Sequence, residues 1–166
     1  VHHYFKLRQK ADQKESNMKP DKLSGLKLIQ MIAQGNIEAP TMAETMRMRI
    51  ANVSYGCVEF KATAGDNHLN PMGGVHGGFA ATVLDSVTGA AVHTVLEPGE
   101  SYGTIDLNVK MLRPVPVGKE LRAKGRVINK SRRLGISEAV LKDDEGRLYA
   151  HATATCMISK KESIEQ

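Results

Sequence analysis

Aromatic side chains are scarce in this chain. Tryptophan is absent, and three phenylalanines and four tyrosines serve all 166 residues. The core must therefore rest on Val, Ile, Leu, Met and Ala, and a stacking platform for single-stranded nucleic acid has no material to be built from. Cysteine is scarce as well. Cys57 and Cys156 are too few and too far apart for a disulfide framework or a zinc site, so both read as reduced core or strand residues of a cytoplasmic protein. No apolar run is long enough to span a bilayer, because residues 79–92 are interrupted by Asp85 and Ser86. No signal-peptide pattern is visible. What the chain does have in excess is positive charge, +5 at neutral pH, which favours anionic partners: nucleic acid, anionic lipid, or a phosphate-bearing small molecule. The basic residues are spread along the chain without a recognition-helix pattern, which places nucleic acid last. Neither nucleic acid nor a membrane is expected as a partner. The length suits a single domain, read here as residues 23–159, with a polar, mostly basic extension over residues 1–22 and a polar tail over 160–166.

The chain is organised around residues 70–93, NPMGGVHGGFAATVLDSVTGAAVH. Phe79, Val83, Val87 and Ala91 recur at helical spacing, as do Ala80 and Leu84. A helix apolar almost all round is a buried helix. The exception is one stripe, Thr82, Asp85, Ser86, Gly89 and His93. Burying a carboxylate costs several kcal/mol unless something pairs with it or uses it. Asp85 is therefore either solvated on a face that meets water or a partner, or a working group. Gly77-Gly78 sits where that helix begins. A helix start leaves N–H groups without internal partners at its positive end, and glycine there lets a carbonyl or phosphate approach the backbone closely. Gly-Gly alone is a weak sign. It gains specificity after Asn70, Pro71, Gly73, Gly74 and His76, and before a buried helix carrying Asp85.

Elsewhere, residues 24–34 read as a helix with Leu26, Leu28, Ile29, Ile32 and Ala33 on its apolar stripe and Gly35 as its stop. Residues 41–51 are ambiguous, with a strand beginning through Met48 and Ile50. Val58, Phe60 and Ala62 alternate as a strand should. After the helix the rest is strands: one with Ile105, Leu107, Val109 and Met111 on a common face, one through Leu121–Val127, a less regular one over 135–141, a hairpin turn at Asp143-Asp144-Glu145-Gly146, and a long last strand with Ala150, Ala152, Ala154, Cys156 and Ile158 aligned. The expected class is α+β: two strands, a buried helix, then four strands, as an antiparallel sheet curled around one long helix.

Four stretches carry a resemblance: NPMGGVHGG, ATVLDSVTGAAVH, TIDLNVKMLRPV and SRRLGISEAVLKDDEGRLYAHATATC. Together, over roughly residues 24–158, they resemble the PaaI-like branch of the hotdog-fold acyl-CoA thioesterases, named for phenylacetate degradation. The resemblance implies a curled sheet wrapped around a central helix. It also implies a homodimer with two sheets joined edge to edge and active sites at the interface, with a homotetramer beyond it. The reaction it implies is hydrolysis of an acyl-CoA to a carboxylic acid and coenzyme A. Coenzyme A enters as part of the substrate, and neither a separate cofactor nor a metal is called for.

Carried onto this sequence, the resemblance makes Asp85 the general base or the nucleophile, with both open. The N–H of Gly77 becomes an oxyanion donor and Gly78 allows close approach. Asn70 orients water or the carbonyl, His76 holds the loop, and Thr104 steadies the water. Met111 and Arg113 join the substrate contacts, and Lys130, Arg132 and Arg133 meet the phosphates of coenzyme A. Ser131 departs from the glycine many relatives carry before the Arg pair. Met31, Met42, Met46 and Met48 are candidates for an adaptable acyl wall. Two other readings stand beside hydrolysis. One is a non-catalytic acyl-CoA-binding protein, a sensor or assembly partner. The other is a hydratase using His76 and Asp85.

Overall fold

In the computed structural model, which describes residues 22–160, the first helix α1 spans Gly25–Ala33. Ser24 caps it, its hydroxyl accepting from the Lys27 N–H at 3.3 Å, and Gly35 leaves it at φ +74. The extension expected over residues 1–22 lies outside the described residues but for Lys22, and so does the tail but for Lys160. The ambiguous segment resolves into two pieces: a short helix α2, Thr41–Thr45, and strand β1, Met48–Ser54. Strand β2, Cys57–Thr63, follows, then a 3₁₀ turn at Asp66–His68 and the central helix α3, Gly77–His93. Four strands complete the chain: β3 Glu100–Met111, β4 Glu120–Lys130, β5 Leu134–Lys142 and β6 Leu148–Lys160.

The strands form one antiparallel sheet in the order β1-β2-β4-β5-β6-β3, the curled arrangement that the buried helix demanded. Helix α3 packs into it through Phe79, Val83, Leu84, Val87 and Ala91, against Val58, Phe60, Leu121, Ala123, Leu141 and Ala152. Small residues on the sheet set the distance. A Cβ on Gly125 would lie 2.6 Å from a methyl of Val87, and one on Gly135 would lie 2.6 Å from a methyl of Val92. The apolar run is therefore a helix because its apolar surface is met on nearly every side. The exceptions, Thr82, Asp85, Ser86 and His93, form the half-buried stripe the spacing picked out, with Gly89 buried among them.

One strand departs from its alternation. Ile105 is 58% exposed, not inward with Leu107 and Val109. The ladder with β6 passes from Thr104↔Cys156 to Asp106↔Thr155, so Ile105 is the extra residue of a β-bulge. A bulge switches the faces on its two sides. Here it puts Thr104, not Ile105, on the face of Leu107, Val109 and Met111. Strand β3 is also an edge of the sheet, paired on one side only, and most of it is exposed. Among the described residues no helix is long and apolar enough to cross a membrane, and Cys57 and Cys156 are free thiols.

Candidate active site

The loop before α3 is held by its own backbone and by three polar side chains. Leu69 bridges to Val75, Asn70 N–H donates to the Gly74 carbonyl at 2.7 Å, and Gly73 turns at φ +81. The Asn70 Oδ1 accepts from the N–H groups of Met72 at 2.9 Å and Gly74 at 3.2 Å. Its carbonyl is thus committed to the loop, and its amide nitrogen is the end left for a ligand. His68 anchors the other side. Its Nδ1 accepts from the Gly65 N–H at 2.9 Å, so the ring donates from Nε2 to the Thr45 carbonyl at 2.8 Å, and it meets Phe79 edge-on. The His68 carbonyl in turn accepts from the His76 N–H at 2.8 Å.

At the helix start His76 is the N-cap, its Nδ1 accepting from the Gly78 N–H at 2.8 Å. The Gly78 amide is therefore occupied, and a Cβ there would sit 2.8 Å from the same nitrogen. The Gly77 N–H donates to no other described residue. The thioether of Met111 lies over it, where a Cβ on Gly77 would come within 2.7 Å of the sulfur. Asn70, His76, Gly77, Met111 and Arg113 line one cleft of about 550 Å³. A free amide at the positive end of a helix, facing a cleft, suits a developing oxyanion. Arg113 stands in that cleft with one guanidinium nitrogen on the Leu148 carbonyl at 2.6 Å.

Asp85 lies two turns further along α3, half-buried, and its Oδ1 accepts from the Thr104 hydroxyl at 3.0 Å. That contact exists because of the bulge that turns Thr104 inward. Near them burial, the Cys156 thiol and the Asp85 carboxylate push the Tyr102 hydroxyl up to about 12, while burial pushes the Cys156 thiol up and the His93 imidazole down. Tyr102, His93 and Cys156 are therefore neutral at physiological pH, and Asp85 is the acidic group facing Thr104. Among the described residues no cluster of His, Cys, Asp and Glu could hold a metal ion.

The structure does not bring all the expected residues together. Gly77 and Asp85 are eight residues apart on one helix, about 12 Å along its axis, too far to act on one carbonyl. Arg132 and Arg133 sit exposed in the β4–β5 turn, beyond Thr104 on the sheet. Ser131, the departure noted in the sequence, closes that turn, its hydroxyl accepting from the Leu134 N–H at 3.1 Å. Lys130 is turned inward. Its ammonium holds the Val95 carbonyl at 2.8 Å and Glu100 at 3.2 Å, so the contact expected of it with phosphate is replaced by an internal tie. Of the four methionines, Met42 and Met48 line a second, apolar chamber beside α3, whereas Met31 and Met46 are buried away from it. His68 and Tyr102 did not stand out in the sequence. Tyr102 could have been found from its spacing, two residues before Thr104, but the partners of His68 come from Thr45 and Gly65 and leave no local pattern.

Known proteins share this fold. The model of the Thioesterase superfamily matches residues 72–150. A phenylacetic acid degradation-related protein from Ralstonia eutropha JMP134 is 37% identical and superimposes with a TM-score of 0.72, over 78% of this chain and 98% of that one. PaaI from Escherichia coli, at 17% identity, shares the fold with a TM-score of 0.70, over 81% of this chain and 94% of its own. Acyl-coenzyme A thioesterase 13 of Mus musculus is 26% identical over 91 residues, 54% of this chain and 64% of its own length. The chain spans between 48% and 64% of the first curated relatives it matches. With the Ralstonia protein 37% identical and aligned almost end to end, and the family segment running from Met72 through the central helix to Ala150, the chain belongs to the thioesterase superfamily, in its PaaI-like hotdog branch.

Proposed function

We propose that the protein hydrolyses acyl-CoA thioesters, in a site completed by a second copy of the chain. The observation that carries this reading is the separation of its two chemical ends. A free amide at Gly77 and a hydrogen-bonded carboxylate at Asp85 lie about 12 Å apart on one helix, yet a thioester carbonyl must meet both. The exposed edge of β3 offers a way to join them. Thr104 holds Asp85, and Met111 covers Gly77. If two copies pair antiparallel along β3 with Thr104 opposite Met111, each Asp85 lies beside the Gly77 of the other copy. With Ile105 left out of the ladder by the bulge, the two-fold axis then passes through Asn108, and Leu107 of one copy lies opposite Val109 of the other.

In that arrangement the Gly77 N–H polarises the thioester carbonyl and stabilises the charge that builds on its oxygen. Asp85 takes a proton from water as the water oxygen attacks the carbonyl carbon. The C–S bond breaks, and the thiolate of coenzyme A recovers that proton. Alternatively the Asp85 carboxylate attacks the carbonyl carbon, the C–S bond breaks to release the thiolate of coenzyme A and leave a mixed anhydride, and water then hydrolyses the anhydride, freeing Asp85 and giving the thiolate its proton. Thr104 orients Asp85 in either route. The amide nitrogen of Asn70 reaches the carbonyl or the water, and His76 and Gly78 keep the loop in place. Arg113, Arg132 and Arg133 are the cations available to the phosphates of coenzyme A. The free thiols of Cys57 and Cys156 fit a reducing compartment, the cytoplasm.

The test is thiol release from a panel of short, medium, long and aryl acyl-CoAs, with Asp85→Asn beside the native chain. Turnover should fall about 10²–10⁴-fold in the variant at unchanged melting temperature. Binding of acyl-CoA without turnover in the native chain would instead identify a binding module, and hydration of an enoyl-CoA would identify a hydratase.

A further inference from the structure

Beside the reacting carboxylate lies a chamber of about 470 Å³ that the chemistry above leaves unused. It is bounded on one side by α3 and on the others by α1, α2, β1 and β2, so the N-terminal helices form its outer wall. It begins next to Asp85. Ser86, the following residue, lines it, and Tyr102 of β3 lines it further on, beside Gly89 and His93. From Ser86 it follows one face of α3 through Ala90 to His93, at i, i+4 and i+7. His93 and Tyr102 touch edge to face, with centroids 5.4 Å apart, and Gly25 of α1 lies against the His93 backbone. These close the far end. The walls between are mostly apolar, including Ile32 and Met42, with Arg49 the charged lining residue, held by Glu120 at 3.3 Å, and the His93 ring is neutral because burial pushes its pKa down.

We propose that this chamber takes the acyl chain and measures it, with Ala90 at its middle and His93 at its end, so that straight, uncharged chains of about eight carbons are preferred. The assignment rests on the thioesterase reading. The length follows from the helix. Seven residues from Ser86 to His93 span about 10 Å at 1.5 Å per residue. An extended chain advances about 1.2 Å per bond, as three backbone bonds cover at most ~3.6 Å. About eight bonds fit before the chain meets His93. Each methylene buried before that point should raise kcat/KM about fourfold, which is ~0.8 kcal/mol per group. A phenylacetyl group would leave the far half of the chamber unfilled. Ala90, one turn past Ser86, has the smallest side chain along this path, and a larger one there would block the chamber about 6 Å in.

The experiment is a profile of kcat/KM over straight-chain acyl-CoAs from two to twelve carbons, with phenylacetyl-CoA, for the native chain, Ala90→Leu and His93→Ala. The native profile should rise to about eight carbons, fall beyond, and exceed the phenylacetyl value there. Ala90→Leu should lower the octanoyl-to-butanoyl ratio at least tenfold. His93→Ala should raise the dodecanoyl-to-octanoyl ratio. Because ratios are compared, a partly unfolded preparation does not mimic either shift, and the enlarging variant still tests the idea if the leucine variant fails to fold. A native profile that climbs through twelve carbons, a preference for phenylacetyl-CoA, or ratios unmoved in both variants overturns the measuring role while leaving hydrolysis intact. No turnover of any acyl-CoA by the native chain overturns the thioesterase reading itself.

Discussion

Among the described residues the Asp85 carboxylate accepts one hydrogen bond, from Thr104, and that bond depends on where one strand residue is extruded. Thr104→Val keeps the size and β-branching of the side chain while removing its donor. It should lower kcat of acyl-CoA hydrolysis about 10–100-fold with little change in melting temperature, since misplacing a reacting group by about 1 Å costs on that order. An unchanged kcat would mean that Asp85 needs no orientation from β3. At the same scale His76 and Gly78 act as a pair. The imidazole caps the helix through the Gly78 amide and so leaves the Gly77 amide as the open donor.

The β5–β6 hairpin shows how an element away from the chemistry supports the cleft. Asp143 is buried at its turn. One oxygen accepts from the N–H groups of Glu145 and Arg147, and the other accepts from the Lys119 ammonium at 2.9 Å and the Tyr149 hydroxyl at 3.1 Å. Tyr149 also lines the cleft beneath Met111 and Arg113. The Lys119 hydrogen bond leads the groups that hold the Asp143 carboxyl down at about 2, against the cost of burying it. A carboxyl depressed in the folded chain stabilises it above the unfolded pKa near 4, and that contribution is lost as pH falls toward 2. Asp143→Asn should therefore lower the melting temperature at pH 7 by several degrees and flatten its decline between pH 4 and pH 2. A melting curve that keeps the native pH dependence would assign the acid sensitivity to other carboxylates.

For the whole molecule, the unpaired edge of β3 decides the outcome. A long exposed edge strand invites pairing, and a lysine on such an edge opposes it. In the register proposed for two copies, Asp106 of one faces Lys110 of the other. Asp106→Lys would replace an opposite-charge pair with like charges twice per dimer, which is destabilising. The variant should sediment as a monomer at concentrations where the native chain is dimeric, and it should lose hydrolysis in the same step while each chain stays folded. A fully active monomer would refute the shared site.

The order of elements, the buried central helix and its half-buried polar stripe were legible in the sequence, because each is written in a local period: 3.6 residues for the helix, two for the strands. The glycine pair before Asp85 was legible for the same reason, as chemistry clustered in a short span. Three things were not. The bulge at Ile105 exchanges the inward residue for Thr104, and it arises from the pairing of β3 with β6, which no local pattern encodes. The inward tie of Lys130 and the clamp of His68 depend on carbonyls 35 and 23 residues away. The chamber proposed for the acyl chain exists only because residues of α1, α2, β1 and α3, far apart in the chain, meet around it. The sequence by itself determined which residues are capable of the chemistry. Only the tertiary structure decided which of them meet, because distance along the chain carries no information about contacts that close across a sheet.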